Sequence, residues 1–203
     1  MTPSRPPVMD RPEAVSSLIE INAVGAGESP DERAEKILAG WSDDPSPDLL
    51  SVACFASDDD EVITTISQWR TDGDGEVLRP DLPGEPARLR FRLYRSGPVD
   101  PGRTAGCFNI VIRVSPGPER AREFVDALLE RSSSLAELNQ PITGSFHLGL
   151  DGKCTLLYSE WETKAEHDAH RETMRHTMAD LYEGLPAPLS VRQYRHYRSL
   201  HIA

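Results

Sequence analysis

Two halves of this chain carry the same marker residues in the same order. Asn22 lies in an apolar run and Trp69 follows it, and Asn109 and Trp161 stand in the same relation in the second half. The other matching segments are Ser67-Gln68-Trp69 with Ser159-Glu160-Trp161, and Phe91-Arg92-Leu93-Tyr94-Arg95-Ser96 with Tyr194-Arg195-His196-Tyr197-Arg198-Ser199. Because each half is long enough to hold several strands, the repetition indicates two copies of one small α+β unit rather than a solenoid.

The spacing of apolar residues predicts the same order of strands and helices in both copies. In the first copy the predicted strands are 15–23, 49–56, 62–69 and 89–96, with a helix beginning at Ser29-Pro30. In the second copy they are 107–114, 142–150, 154–161 and 191–198, with helices at 118–132 and 163–182 and a break near His176. The order β-α-β-β-α-β is the ferredoxin-like arrangement. We therefore predict an α+β fold, in which two ferredoxin-like repeats pack sheet to sheet into one α+β barrel.

The repeats do not account for the whole chain. Residues 1–14 are polar and rich in proline, and we predict that they form a disordered tail. The first repeat is predicted to span 15–97 and the second 106–203. Segment 71–86 contains many glycines and prolines, so we expect the second helix of the first repeat to be degenerate.

Charge and composition exclude several classes of partner. The net charge of −11 disfavours binding to nucleic acid or to an anionic membrane surface, and no apolar stretch approaches the roughly 20 residues that span a bilayer. The three cysteines lack metal-site spacing, and we interpret them as free thiols in a reducing cytoplasm. A small molecule is the expected partner.

Strand alternation predicts a pocket between the sheet and the helices of the second repeat. Phe108, Ile110 and Ile112 form one apolar face suited to the barrel core, so Asn109 and Arg113 should face the helices. The same parity places Phe146 in the core and His147 beneath the helices. The polar residues predicted to converge there are Asn109, Arg113, His147, Trp161, Arg195 and Tyr197. The apolar Leu157 shares the face of Trp161, and Met174 shares a helix face with His170.

The segment Leu156-Leu157-Tyr158-Ser159-Glu160-Trp161-Glu162, followed by Ala165 and His170, resembles the antibiotic biosynthesis monooxygenase family. That family includes oxygenases that convert anthrones to anthraquinones in aromatic polyketide pathways. The resemblance implies catalytic roles for Asn109 and Trp161, a small aromatic substrate, O2 as co-substrate and no prosthetic group.

The resemblance and the expected pocket suggest a role for each residue. The amide of Asn109 and the indole N–H of Trp161 could donate to a developing enolate oxygen, and His147, His170 or Tyr197 could take the proton. The expected substrate-binding residues are Arg113, Tyr197, Arg195, Met174 and Leu157. Asn22 and Trp69 form a second possible site, but it lacks a helix equivalent to the one that carries His170. We expect one competent site, with the first repeat replacing the partner subunit of a single-repeat dimer; the chain would be a monomeric pseudo-dimer or a homodimer.

Four alternatives stay open on the sequence. The Trp161 to His170 spacing also resembles haem-degrading relatives, in which case His170 would ligate iron. Reduced flavin from a separate reductase could assist the oxidation. The barrel could also bind a ligand without catalysis. Finally, His167 and His170 have the spacing of a metal pair, but no third ligand follows from the sequence, and we predict no metal site.

Overall fold

A computed structural model of the chain describes residues 5–43, 45–72, 87–97, 99–115, 117–134, 140–183 and 188–202. Its strands are β1 (Ser16–Ala23), β2 (Leu49–Ser57), β3 (Val62–Trp69), β4 (Ala87–Ser96), β5 (Cys107–Val114), β6 (Thr143–Gly149), β7 (Cys154–Trp161) and β8 (Pro188–His201). Its helices are α1 (Pro30–Asp43), α2 (Pro118–Ser134), α3 (Lys164–Thr177) and α4 (Ala179–Tyr182). The α+β class and the duplicated ferredoxin-like order are confirmed. The predicted degenerate helix at 71–86 lies almost wholly outside the described residues.

Local capping explains where the helices begin. At the start of α1, the backbone N–H of Ser29 donates to Glu32 Oε2 at 2.9 Å and the backbone N–H of Glu32 donates to Ser29 Oγ at 3.2 Å. Thr163 Oγ1 accepts from the backbone N–H of Glu166 at the start of α3. These bonds, reciprocal at α1 and single at α3, satisfy N–H groups that a first helical turn leaves unpaired. The predicted break near the end of the long helix is also found, since α3 ends at Thr177 and α4 follows.

The chain forms two compact units that do not coincide with the two repeats. The first unit comprises Met1–Leu93 and Tyr194–Ala203, and the second comprises Tyr94–Gln193. The last strand of each repeat, β4 or β8, is therefore divided between the units.

In the first unit, α1 covers one face of an antiparallel sheet in which β3 lies between β1 and β2. The end of β8 pairs with β2 and the start of β4 pairs with β1. The core under the helix consists of Ala34, Leu38, Leu49, Val52, Cys54, Ala56 and Ile63.

In the second unit, β7 lies between β5 and β6 in antiparallel register. Helices α2 and α3 cover one face of this sheet through a buried cluster of Val125, Leu128, Phe146, Met174 and Met178. We call the side of the sheet that packs on this cluster the helix face, and the other side the opposite face.

The segment before β1 is more ordered than its composition predicts. Met9 is buried, and the carbonyl of Val8 accepts a hydrogen bond at 2.8 Å from Gln68 Nε2 of β3. Residues 5–14 therefore contribute contacts to the first unit, in contrast to the expected disordered tail. None of the described helices is long and apolar enough to span a membrane.

Candidate functional site

The helix face of the second unit carries a buried amide that lacks a hydrogen-bond partner. Asn109 of β5 pairs in register with Ser159 of β7, so the two side chains lie on the same face. Asn109 is only 5% exposed, and its Oδ1 atom is buried without a hydrogen-bond partner. Unsatisfied buried polar atoms are rare in folded proteins, and a functional role is one of the few reasons to retain one. The predicted position of Asn109 beneath the helices is confirmed.

Trp161 lies on the same face at the end of β7. It is 2% exposed, and its indole N–H donates to Ser159 Oγ at 3.0 Å. This bond engages the donor that the sequence had suggested for an enolate or peroxide oxygen. The ring instead packs against α3, with its centroid 4.7 Å from the ring of His170 and 5.5 Å from that of His167. The structure therefore brings His170 to Trp161, as predicted.

His167 is a candidate site residue that the sequence reasoning considered only as half of a metal pair. It is buried, and its Nδ1 lies within hydrogen-bond distance of Gln193 Nε2. The same amide nitrogen donates to Asp168 Oδ1 at 2.7 Å. Because a carboxylate can only accept, the NH₂ of Gln193 is the donor to Asp168 and is also placed to donate to Nδ1 of His167; Asp168 Oδ1 itself lies 3.5 Å from Nδ1.

The contact with Gln193 favours one tautomer of the His167 ring. With Nδ1 accepting, the proton of the neutral imidazole is on Nε2, which is therefore a donor. Burial lowers the pKa of His167, although Asp168 opposes that effect, so the neutral form is favoured near pH 7. The clue available in the sequence was the spacing of His167 and His170, which puts both on the side of α3 that meets Trp161.

Apolar side chains and one cation complete the helix face. Met174 belongs to the buried cluster and Leu157 packs against it, so both lie where they were predicted. The guanidinium carbon of Arg113 is 6.0 Å from the ring centroid of Phe124 on α2. Arg113 and Phe124 line a small, open depression at that end of β5.

The position of His147 differs from the predicted one. Phe146 pairs in register with Leu157 and packs in the helix-face cluster, so its neighbour His147 points to the opposite face. There its Nε2 lies 2.9 Å from Ser145 Oγ, and its Nδ1 is buried without a partner. Burial lowers its pKa to about 4. The prediction that His147 faces the helices with Asn109 and Trp161 is wrong.

The positions of Arg195 and Tyr197 also differ from the prediction, because both residues belong to the first unit. The hydroxyl of Tyr197 donates to Glu35 Oε1 of α1 at 2.9 Å. The guanidinium of Arg195 is exposed and pairs with Asp31 and Asp60. Both side chains thus contact acidic residues of the first unit, and the expected convergence with Asn109 does not occur.

The first unit repeats part of the arrangement around Trp161. The indole N–H of Trp69 donates to Ser67 Oγ at 3.0 Å, as that of Trp161 does to Ser159. However, Ser67 pairs in register with Leu18, whereas Asn22 pairs with Ile63 farther along the strand. The positional equivalent of Asn109 is therefore Leu18, and Asn22 and Trp69 do not reproduce the Asn109 and Trp161 arrangement.

Within the described ranges, no three His, Cys, Asp or Glu side chains are grouped so that they could hold a metal ion. The three cysteines, Cys54, Cys107 and Cys154, are buried, and none of them forms a disulfide.

Comparison with solved structures relates the fold to known proteins. An anthrone oxidase-like protein matches with a TM-score of 0.70 at 15% identity, over 96% of this chain and 95% of that chain. A monooxygenase-like protein from Listeria innocua matches with a TM-score of 0.53 at 11% identity, over 91% and 95%. A haem-degrading enzyme from Listeria monocytogenes matches with a TM-score of 0.52 at 10% identity, over 90% and 99%. These likenesses establish the fold across both repeats.

The sequence comparisons concern the second unit. No curated protein matches the chain significantly. Residues 107–179 match the model of the antibiotic biosynthesis monooxygenase family, and this range includes Asn109, Trp161, His167 and His170. The resemblance to the antibiotic biosynthesis monooxygenase family is thereby confirmed over residues 107–179.

Proposed function

We propose that this protein is a monooxygenase that uses O2, without a prosthetic group, to oxidise a polycyclic aromatic of the polyketide type to a quinone or hydroxylated product. The observation that carries the proposal is the unpartnered Oδ1 of Asn109, buried on the same face as Trp161 and α3 within the matched domain. A phenolic hydroxyl of the substrate would supply the missing hydrogen bond. The amide NH₂ would then donate to the neighbouring oxygen.

An anthrone illustrates the chemistry, because its own carbanion can reduce oxygen. A base removes one methylene proton and leaves an enolate. The enolate transfers one electron to O2, and the resulting superoxide and carbon radical combine into a peroxide anion, which takes back the proton from the base and becomes a hydroperoxide. Loss of water from the hydroperoxide forms the second carbonyl, so anthrone and O2 give anthraquinone and water. The protein must stabilise the enolate and move protons.

The side chains of the helix face match these tasks. Asn109 would hold the enolate oxygen in a site where little water competes. Neutral His167 can donate from Nε2 and does not add a positive charge. His170, half-buried against the Trp161 ring, is the proposed base. Trp161 would position His170 and Ser159 rather than donate to oxygen, because its N–H is already bonded.

We place one such site in each chain, in the second unit. The first unit lacks an asparagine at the position equivalent to Asn109, since Leu18 stands there. We further propose that the protein works in the cytoplasm, where its three thiols would stay reduced.

The test is oxygen uptake by chelator-treated protein with dithranol, a simple dihydroxyanthrone. We expect turnover by the wild type and a loss of roughly 100-fold or more in folded Asn109→Ala, which removes the amide. Asn22→Ala is the matched control, because it deletes the same group in the first unit and should leave turnover unchanged.

Other outcomes would replace the proposal with a specific alternative. Turnover only with added reduced flavin would indicate flavin-assisted oxidation. A Soret shift with haemin that disappears in His170→Ala would indicate haem binding. Equal turnover in wild type and Asn109→Ala would remove the helix face from the reaction. No turnover or haem binding under any of these conditions would leave a ligand-binding protein.

A further inference from the structure

The first unit contains a buried arginine on the sheet face that carries Trp69. Arg90 of β4 is 6% exposed, and its guanidinium carbon lies 5.5 Å from the ring centroid of Trp69. Its Nη1 donates to Ser16 Oγ at 3.1 Å. Its Nε is buried and has no hydrogen-bond partner. The guanidinium is thus held in place by neutral groups on two sides.

The acidic residues nearby do not neutralise this charge. Alternate residues of β4 share the face, and each neighbouring arginine has its own carboxylate: Arg88 pairs with Glu20, and Arg92 pairs with Asp72. Among the described residues, no carboxylate oxygen lies within ion-pair distance of Arg90. Within the part of the chain that the structure describes, these pairings leave Arg90 without a carboxylate in contact.

A buried cation without a partner is costly, and in proteins such a charge is normally paired. Burial lowers the pKa of Arg90, while the field of Asp72 opposes this effect. A guanidinium nevertheless stays protonated near neutral pH, so the charge cannot be removed by deprotonation. Retaining Arg90 here is explained if a ligand supplies the missing negative charge.

The unpartnered atom indicates the kind of ligand. Nε and Nη2 form the edge by which a guanidinium holds a carboxylate with two parallel hydrogen bonds. Trp69 is half-buried beside Arg90, and Trp41 packs edge-on against it with ring centroids 5.8 Å apart. Aromatic side chains next to a cation favour a ligand with a flat ring. We propose that this face of the first unit binds an aromatic carboxylate, with Arg90 as its ionic partner and Trp69 as the neighbouring aromatic surface.

This site is separate from the one proposed for oxidation, and it needs no turnover. Its test is binding of 1-naphthoate to the full chain by calorimetry, compared with the neutral 1-naphthamide of similar shape. We expect the naphthamide to bind at least 10-fold more weakly. Quenching of tryptophan fluorescence by naphthoate should decrease in Trp69→Phe, which locates the ligand.

Arg90→Met tests the charge directly, since it keeps a long side chain and removes the guanidinium. We expect naphthoate affinity to fall at least 10-fold while the melting temperature stays equal or rises, because an unpaired buried charge has been removed. Arg95→Met is the matched control on the same strand, as Arg95 is exposed and pairs with Asp126; its affinity should equal that of the wild type.

Three results would overturn the inference. They are an absence of naphthoate binding by the wild type at millimolar concentration, equal binding of naphthoate and naphthamide, and wild-type affinity in folded Arg90→Met. The first two need no variant, so the inference stays testable if Arg90→Met does not fold.

Discussion

Replacing Asn109 with leucine should make the protein more stable and inactive. Leucine is close to asparagine in shape and fills the same space, so no large cavity is created. At 5% exposure, Asn109 is almost fully desolvated, and its Oδ1 has no bond to repay that cost. An unsatisfied buried polar atom costs about 1–3 kcal/mol. We therefore expect a gain of about 1–2 kcal/mol in the free energy of unfolding.

For a chain of this size, 1 kcal/mol changes the melting temperature by about 2–4 °C, so the variant should melt roughly 2–8 °C higher. Urea denaturation followed by circular dichroism gives the free energy, and an oxygen electrode with dithranol gives the activity. Uptake should fall roughly 100-fold. Asn22→Leu is the control: Asn22 is half-exposed and is not positioned like Asn109, so neither quantity should change appreciably.

A stability equal to or below that of the wild type would refute the reasoning, because it would mean that Asn109 Oδ1 is satisfied in solution. Increased stability with unchanged oxygen uptake would be different. It would confirm that Asn109 Oδ1 lacks a hydrogen bond in the native protein, and it would show that the amide takes no part in the reaction.

Three further predictions concern His147, Tyr197 and Gln193. Burial lowers the pKa of His147 to about 4, below its unfolded value, so its neutral form stabilises the fold above about pH 6.5 and that contribution is lost as the pH falls toward 4. The loss is roughly 3 kcal/mol, and urea midpoints from pH 7 to 4.5 should fall less in His147→Leu than in the wild type. Tyr197→Phe removes only the bond to Glu35 in the first unit, so oxygen uptake should change less than about 2-fold. Gln193→Leu frees Nδ1 of His167, and we expect a roughly 10-fold lower kcat with a shifted pH profile of kcat, whereas unchanged kinetics would exclude His167.

Much of the fold followed from local signals. Capping residues and apolar spacing located the helices, and alternation in β5 correctly put Asn109 beneath them. The same reasoning failed for β6, because both of its faces are buried although one of them carries the polar Ser145 and His147. Only the pairing of Phe146 with Leu157 shows that Phe146 meets the helices and His147 does not. Register is a long-range property, and a one-residue change in it exchanges the two faces.

The other errors have the same origin. The order of residues along the chain cannot show that the end of β8 belongs with α1, where Tyr197 and Arg198 contact Glu35. A similar asparagine in both halves was taken as an equivalent pair. Asn109 pairs with the serine two residues before Trp161, whereas Asn22 does not pair with the serine two residues before Trp69. Asn22 and Asn109 are therefore similar in sequence but not in position.

One difference between the repeats links the two proposed sites. The matching segments that begin at Phe91 and Tyr194 place Arg90 opposite Gln193 in the alignment of the copies. In the second unit Gln193 is neutral, and its amide lies against Nδ1 of His167, whose ring packs on Trp161. In the first unit Arg90 puts a fixed positive charge beside Trp69. A cation there would bind an anion tightly but could not accept a proton, since a guanidinium stays protonated. Because the two copies carry different side chains at this one position, the face of the second unit suits proton transfer and the face of the first unit suits holding a carboxylate.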